Sequence, residues 1–177
     1  MNGIKTKNLI LFPCDLMHFE AILHERHKLE LLLDIVVPEN WTEFPEAIEY
    51  AYEYLKAKPS AFGWWTYLFI HYQDRVLIGW GGFKGQANES GVVEIGYEII
   101  PDYRNRGLAT EAACAIRDYG FEKIGCNRLI SLIDYGNIAS QKVALKTGLT
   151  YKKDVQMWGK SVRVYAIYQP YKSLNVS

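Results

Sequence analysis

The chain has 177 residues, 49% of them apolar, and sets 20 basic side chains against 20 acidic ones for a formal charge of zero. That length and apolar content suit one domain over residues 1–177 and leave little room for a second. A neutral chain is poorly built to hold nucleic acid or anionic lipid by diffuse attraction, so an anionic ligand is expected at a small, specific site.

In chain order, Asn8–Phe12 reads as a short strand stopped by Pro13, after which Asp15 caps a helix to about Arg26, with Leu16, Phe19, Ile22 and Leu23 at helical spacing. Leu29–Val37 is apolar and fits helix or strand, and Pro38 ends it. Pro45–Lys58 predicts a second helix with proline in its first turn. Trp65–Tyr72 and Arg75–Phe83 form a hairpin pattern around Gln73-Asp74, and Gly91–Ile100 follows as a longer strand. Arg106–Lys123 is helical, with Leu108, Ala112, Ile116 and Tyr119 on one face and Glu111, Asp118 and Glu122 off it. Arg128–Asp134 is a nearly continuous apolar strand of the kind buried on both faces. Asn137–Thr147 is a helix ended by Gly148, and Thr150–Met157 with Ser161–Tyr168 closes the chain as a hairpin. The strand–helix–strand middle implies a right-handed parallel pair between antiparallel flanks, an α/β (α+β) sheet rather than a doubly wound one.

Cys14, Cys114 and Cys126 make no CxxC pair and leave an odd count, so each reads as a small buried residue. The polar start and the short run Leu9–Phe12 lack a signal peptide's core, and no stretch reaches the ~18 apolar residues of a membrane helix. A cytoplasmic protein with no membrane partner is expected. The Asn40-Trp41-Thr42 and Asn88-Glu89-Ser90 sequons carry no meaning without secretion.

Val92–Thr110 is the most informative segment: a strand, a turn carrying Arg104 and Arg106, and a helix that opens on Gly107. Amides at a helix start are unpaired and lie at a positive dipole end, which suits a phosphate. Gly107 lets backbone approach the ligand, Ala109 keeps the next turn slim, and the two arginines add charge.

Arg104-Asn105-Arg106-Gly107-Leu108-Ala109 resembles the (Arg/Gln)-x-x-Gly-x-(Gly/Ala) signature of the GNAT superfamily, the acetyl-CoA-dependent N-acetyltransferases. Asn137–Leu149 is similar to the Asn-x-x-Ser-x-x-Val-x-x-Lys-x-Gly-Phe pattern of the RimJ/RimL-like branch, and Thr6–Pro13 to that branch's opening. Asn8, Phe12 and Leu149 depart from the branch pattern, and the resemblance covers roughly residues 6–168.

The resemblance implies a GNAT fold: a mixed, mostly antiparallel sheet with a central splayed parallel pair, flanked by helices. It implies acetyl-CoA as acyl donor, no metal, and a peptide N-terminus or small amine as acceptor, in a monomer or homodimer. Backbone at Ile99, Ile100 and Pro101 would pair with the pantetheine arm, and the amides of Arg104, Asn105, Arg106, Gly107, Leu108, Ala109 and Thr110 would cradle the pyrophosphate. Asn137 would bond the cofactor arm or serve only as a helix cap, and Lys142 or Lys146 would reach a CoA phosphate. Transfer needs a neutral amine, donors for the thioester oxygen and a proton for the leaving thiolate. Glu94 is the first candidate base, with Glu98 on the same face by period-two alternation. The family's usual tyrosine acid, seven residues after the motif asparagine, is Ala144 here. The resemblance to the RimJ/RimL-like branch implies a serine acid at position 140, so Ser140 is the candidate acid, with Tyr135 as the outside alternative. A non-catalytic acyl-CoA sensor is the reading of a different class.

Trp41, Trp64, Trp65, Tyr67 and Trp80 fall where this fold builds its acceptor pocket; an aromatic wall there holds an apolar chain or an ammonium, unless these rings are simply core. Gly159-Lys160-Ser161 lacks the earlier glycine of a phosphate loop, and Gly79-Trp80-Gly81-Gly82 lacks dinucleotide spacing. His24 and His27 lie three apart rather than four, so they do not read as a metal pair.

Overall fold

The computed structural model describes residues 3–157 and 159–169. Among them one eight-stranded sheet runs in the order β1-β2-β3-β4-β5-β6-β8-β7. The strands are β1 (Ile4–Lys5), β2 (Leu9–Pro13), β3 (Tyr67–His71), β4 (Val76–Phe83), β5 (Val92–Ile99), β6 (Arg128–Asp134), β7 (Thr150–Met157) and β8 (Lys160–Tyr168). Every neighbouring pair is antiparallel except β5 and β6, which are parallel.

Helices α1 (Leu16–His24), α2 (Arg26–Leu33), α3 (Pro45–Ala57), α4 (Leu108–Tyr119) and α5 (Ile138–Lys146) flank the sheet. The Asp15 carboxylate caps α1 by accepting the His18 amide at 3.0 Å. The first expected helix is two: the backbone leaves helical geometry at Glu25, and α2 continues to Leu33. The ambiguous Leu29–Val37 run therefore splits between a helix end and Val36, which bridges to Val76 of β4.

Two cores lie on opposite faces. Leu9, Leu11, Phe69, Ile78, Val93, Ile95 and Ile99 pack with Leu108, Ala112 and Ile116 of α4. On the other face Leu68, Ile70 and Leu77 pack with Phe19 of α1, Leu29 of α2 and Ile48 and Ala51 of α3. Strand alternation sends neighbouring residues to opposite cores, and the crossover through α4 makes β5 and β6 parallel.

Two details differ from the sequence expectation, and a third adds to it. The Arg106–Lys123 helix starts only at Leu108 and ends in a π-helical turn over Gly120–Ile124. Glu111 is not a solvated charge: its carboxylate accepts from Thr6 Oγ1 (2.5 Å), the Asn8 amide (2.6 Å) and Asn8 Nδ2 (2.7 Å), tying α4 to the chain ahead of β2. Strand β6 alternates instead of burying both faces, with Leu129, Ser131 and Ile133 inside and Ile130 and Leu132 only half-buried. No helix among the described residues is long and apolar enough to cross a membrane.

Candidate active site

Strand β5 is treated differently along its two edges. Toward β4 the pairing runs from Phe83–Ile95 to Gly79–Ile99. Toward β6 it covers only Val92–Arg128, Val93–Leu129 and Glu94–Ile130, after which the two parallel strands part. A cavity of about 630 Å³ occupies the parting. Its walls include Ile95 and Tyr97 from one face of β5 and Gly96 and Glu98 from the other, and likewise Ser131 and Ile133 with Leu132 and Asp134 of β6. Residues that point to opposite faces of a sheet can share one cavity only if it passes through the sheet between the strands. This explains the half-buried Leu132: it lines a cavity rather than filling a core.

Backbone groups alternate between a strand's two edges as side chains alternate between its faces. The Ile100 amide donates to Ile78 O at 2.8 Å and the Lys84 amide to Glu94 O at 2.7 Å, so the even-numbered residues of β5 serve β4. The amides and carbonyls of Tyr97 and Ile99 consequently face the parting. Of the three residues expected to offer backbone there, Ile99 has its groups on that edge, with Arg104 Nε donating to its carbonyl at 2.7 Å. Ile100 and Pro101 are turned away, their carbonyls accepting the Tyr103 and Arg104 amides at 3.1 Å each.

Beyond β5 the chain makes a 3-10 turn over Pro101–Tyr103, passes Asn105 at φ 62° and Gly107 at φ 79°, and enters α4. The left-handed φ at Gly107 strains any residue with a Cβ. A Cβ built there meets nothing within 4 Å, so the loop's outer surface is open. The amides of Gly107, Leu108, Ala109 and Thr110 are the four a helix start leaves without intrahelical acceptors. Neither motif arginine stands free: Arg104 pairs with Glu43 Oε1 at 2.6 Å, and the Arg106 guanidinium lies 4.7 Å from the Tyr103 ring centroid. Burial first, then the bond to Asp74, pushes the Tyr103 phenol up to about 12.

The two candidate carboxylates have different settings. Glu94 is tied to Lys84 Nζ at 2.5 Å and is not part of the cavity wall. Glu98 lines the cavity and accepts from Trp80 Nε1 (2.7 Å), Thr42 Oγ1 (2.9 Å) and the Glu43 amide (2.6 Å). Asn137 and Ser140 line the opposite end, where Asn137 Oδ1 caps α5 by accepting the Ser140 amide at 3.0 Å. Lys142 and Lys146 are exposed on α5. Tyr135 is 51% exposed and lies under the Arg163 guanidinium, 4.2 Å from its ring centroid. Ala144 is buried with Ile133, Leu149 and Tyr165.

Of the five aromatics proposed for an acceptor pocket, Trp65 and Trp80 line the cavity, whereas Trp41 and Tyr67 are buried in the cores and Trp64 packs against one. The sequence pattern gave no role to three other cavity residues, Phe44, Tyr50 and Tyr97. For Tyr97 a signal existed: it is the one polar-tipped side chain on a strand face otherwise made of Val93, Ile95 and Ile99. Its hydroxyl donates to Ser140 O at 3.0 Å, spanning from β5 to α5. No group of three or more His, Cys, Asp or Glu side chains suited to a metal occurs among the described residues.

Residues 8–150 match the family described as the acetyltransferase (GNAT) domain. An uncharacterized N-acetyltransferase of Bacillus subtilis, YjdG, is 25% identical over 147 residues, covering 82% of this chain and 88% of that protein. The uncharacterized Bacillus subtilis protein YkkB is 41% identical over 80 residues; that match spans 45% of this chain and about half, 46%, of the relative. Among solved structures, RimL, a ribosomal L7/L12 α-N-protein acetyltransferase in complex with coenzyme A, superposes with a TM-score of 0.69 at 17% identity, covering 94% of this chain and 98% of that one.

Proposed function

The chain belongs to the GNAT acetyltransferase family, and from that premise we propose that it moves the acetyl group of acetyl-CoA directly onto a primary amine. The observation that carries the reading is the cavity through the sheet, with Phe44, Tyr50, Trp65 and Trp80 at one end and Asn137 and Ser140 at the other. Two substrates that never share a binding face can meet only in such a passage.

The residues fit CoA in two places. Tyr97 and Ile99 offer strand-edge backbone to the pantetheine arm where β6 has withdrawn. The amides of Gly107–Thr110 offer an anion cradle for the pyrophosphate, and Arg104 and Arg106 stand on the same turn, with Lys142 and Lys146 on neighbouring α5. When bound, the donor supplies an activated thioester carbonyl. The chain's part is to position it, to hold negative charge on its oxygen with a β5 amide, and to manage two protons.

At the aromatic end, Glu98 is the carboxylate placed to take the amine's proton, directly or through water, in preference to the Lys84-bound Glu94. Glu46, Glu98 and Asp134 give this wall acidic groups, and its lysine, Lys84, is already engaged by Glu94. An ammonium-bearing acceptor, peptide N-terminus or small amine, suits carboxylates beside indole faces. Asn137 both caps α5 and stands beside the cofactor path. We place the reaction in the cytoplasm, in a monomer or homodimer.

The test is thiol release from acetyl-CoA across a panel of peptides and small amines, paired with thermal shift against acetyl-CoA, NAD and ATP. Stabilisation by acetyl-CoA alone and release with at least one amine is expected. Stabilisation with no release for any amine would replace the enzyme by an acyl-CoA sensor.

A further inference from the structure

Acyl transfer from a thioester leaves a thiolate that must be protonated, and the position this family's pattern gives to a tyrosine acid is Ala144, whose methyl is sealed in a small core. The hydroxyls on the cofactor-side wall of the cavity are those of Ser131, Ser140 and Tyr97, of which Ser131 is buried on β6. Tyr97 shares a strand face with Ile95 and Ile99, which pack on α4, so its ring leaves β5 on the side where α4 and α5 lie. It crosses the parting and meets α5 at the carbonyl of Ser140. In a regular helix that carbonyl also receives the amide of the residue four positions on, Ala144. The phenol thus arrives from the opposite wall at the same helical turn from which the expected tyrosine is missing.

We propose, resting on the acetyl-transfer reading, that Tyr97 is the catalytic residue that protonates the departing CoA sulfur. The amine nitrogen forms a bond to the acetyl carbon, the C–S bond breaks with its electron pair passing to sulfur, and sulfur takes the Tyr97 hydroxyl proton. The phenolate is restored by the proton the amine gives up, returned through water in the cavity. The hydroxyl donates to Ser140 O, a neutral acceptor that fixes its direction without removing its proton. Burial first, and Tyr165 second, pushes the phenol above its ordinary range, so the hydroxyl carries its proton before the reaction. Ser140 presents a shorter, more weakly acidic hydroxyl on the helix end its own amide helps to cap.

The experiment uses the full chain with acetyl-CoA and the amine that gives fastest release. Tyr97→Phe is expected to lower kcat about 100-fold with the acetyl-CoA KM nearly unchanged, and to lower it further than Ser140→Ala does. Since Tyr97→Phe also removes a β5–α5 tether, a fluorinated tyrosine at position 97 provides the second arm. Fluorination acidifies the phenol without removing it, so a proton donor brings the basic limb of the kcat–pH profile to lower pH, which a merely structural tyrosine does not. Full kcat in Tyr97→Phe, an unmoved basic limb, or a loss confined to Ser140→Ala would overturn the assignment while leaving acetyl transfer intact. A wild-type chain that binds acetyl-CoA and releases no thiol with any amine would overturn both.

Discussion

The two edges of β5 carry one sequence to opposite ends. Along β4 five consecutive pairs keep the strands in contact, and Gly79 makes that possible: a Cβ there would lie 2.0 Å from Glu98 O of β5. Along β6 three pairs suffice, and the strands then separate around the cavity. The closed edge spends backbone hydrogen bonds on stability. The open edge leaves the amides of Tyr97 and Ile99 and the Tyr97 carbonyl without a strand partner, a cost tolerated in a folded protein mainly where a ligand supplies the missing partner. The comparison separates the residues that hold the sheet from those that work in it.

Substitution on the closed edge gives the largest expected effect. Gly79→Ala places a methyl where the Glu98 carbonyl oxygen stands and forces an L residue toward a disfavoured φ, so urea unfolding should show a loss of about 3 kcal/mol. A loss below half of that would mean β4 and β5 can move apart and the edge is less closed than its pairing suggests.

On the open edge, Glu98→Gln is expected to cut turnover about 100-fold while the unfolding midpoint moves little, since the amide oxygen retains one of the carboxylate's donors. If Glu94→Gln produces the rate loss instead, the working carboxylate is the one paired with Lys84, and the cavity wall does not mark the base. The smallest effect belongs to Glu111, remote from both edges. Burial opposes its charge, but donors from Thr6 and Asn8 outweigh it and hold the carboxyl below the usual range. A group with a lowered folded-state pKa contributes stability above the unfolded pKa of about 4.3 and loses it as pH falls through the folded value. Glu111→Gln should therefore cost roughly 0.5–1 kcal/mol near neutrality, with the gap to wild type closing below about pH 4. A gap that persists in acid would trace the loss to packing.

Much of this was legible in the sequence because it is local. Strand periods, Asp15 before an apolar helix, Gly107 ahead of Leu108 and Asn137 three residues before Ser140 state their geometry over a few positions. Helix ends were less legible: nothing in Arg106–Lys123 announced a helix starting at Leu108 and a π turn from Gly120, where tertiary packing sets the boundary. The site was legible as a set of segments and not as an arrangement. Glu94 and Glu98 share a face by alternation, and only the neighbouring strand determines that the first meets Lys84 and the second meets Trp80 and Thr42. Arg104's bond to Glu43, 61 positions away, had no sequence signal at all.

By itself the sequence determined the kind of protein: an α/β chain with a parallel strand pair, a glycine-led helix start after a strand, and the two motif stretches of an acetyltransferase. Period and capping depend on residues a few positions apart, so they survive reading in one dimension. The tertiary structure alone decided where β5 and β6 part, which carboxylate faces the opening, and that the Tyr97 hydroxyl reaches the α5 turn lacking the expected tyrosine. Those outcomes depend on contacts across strands and helices, between residues too far apart in the chain to leave a local pattern.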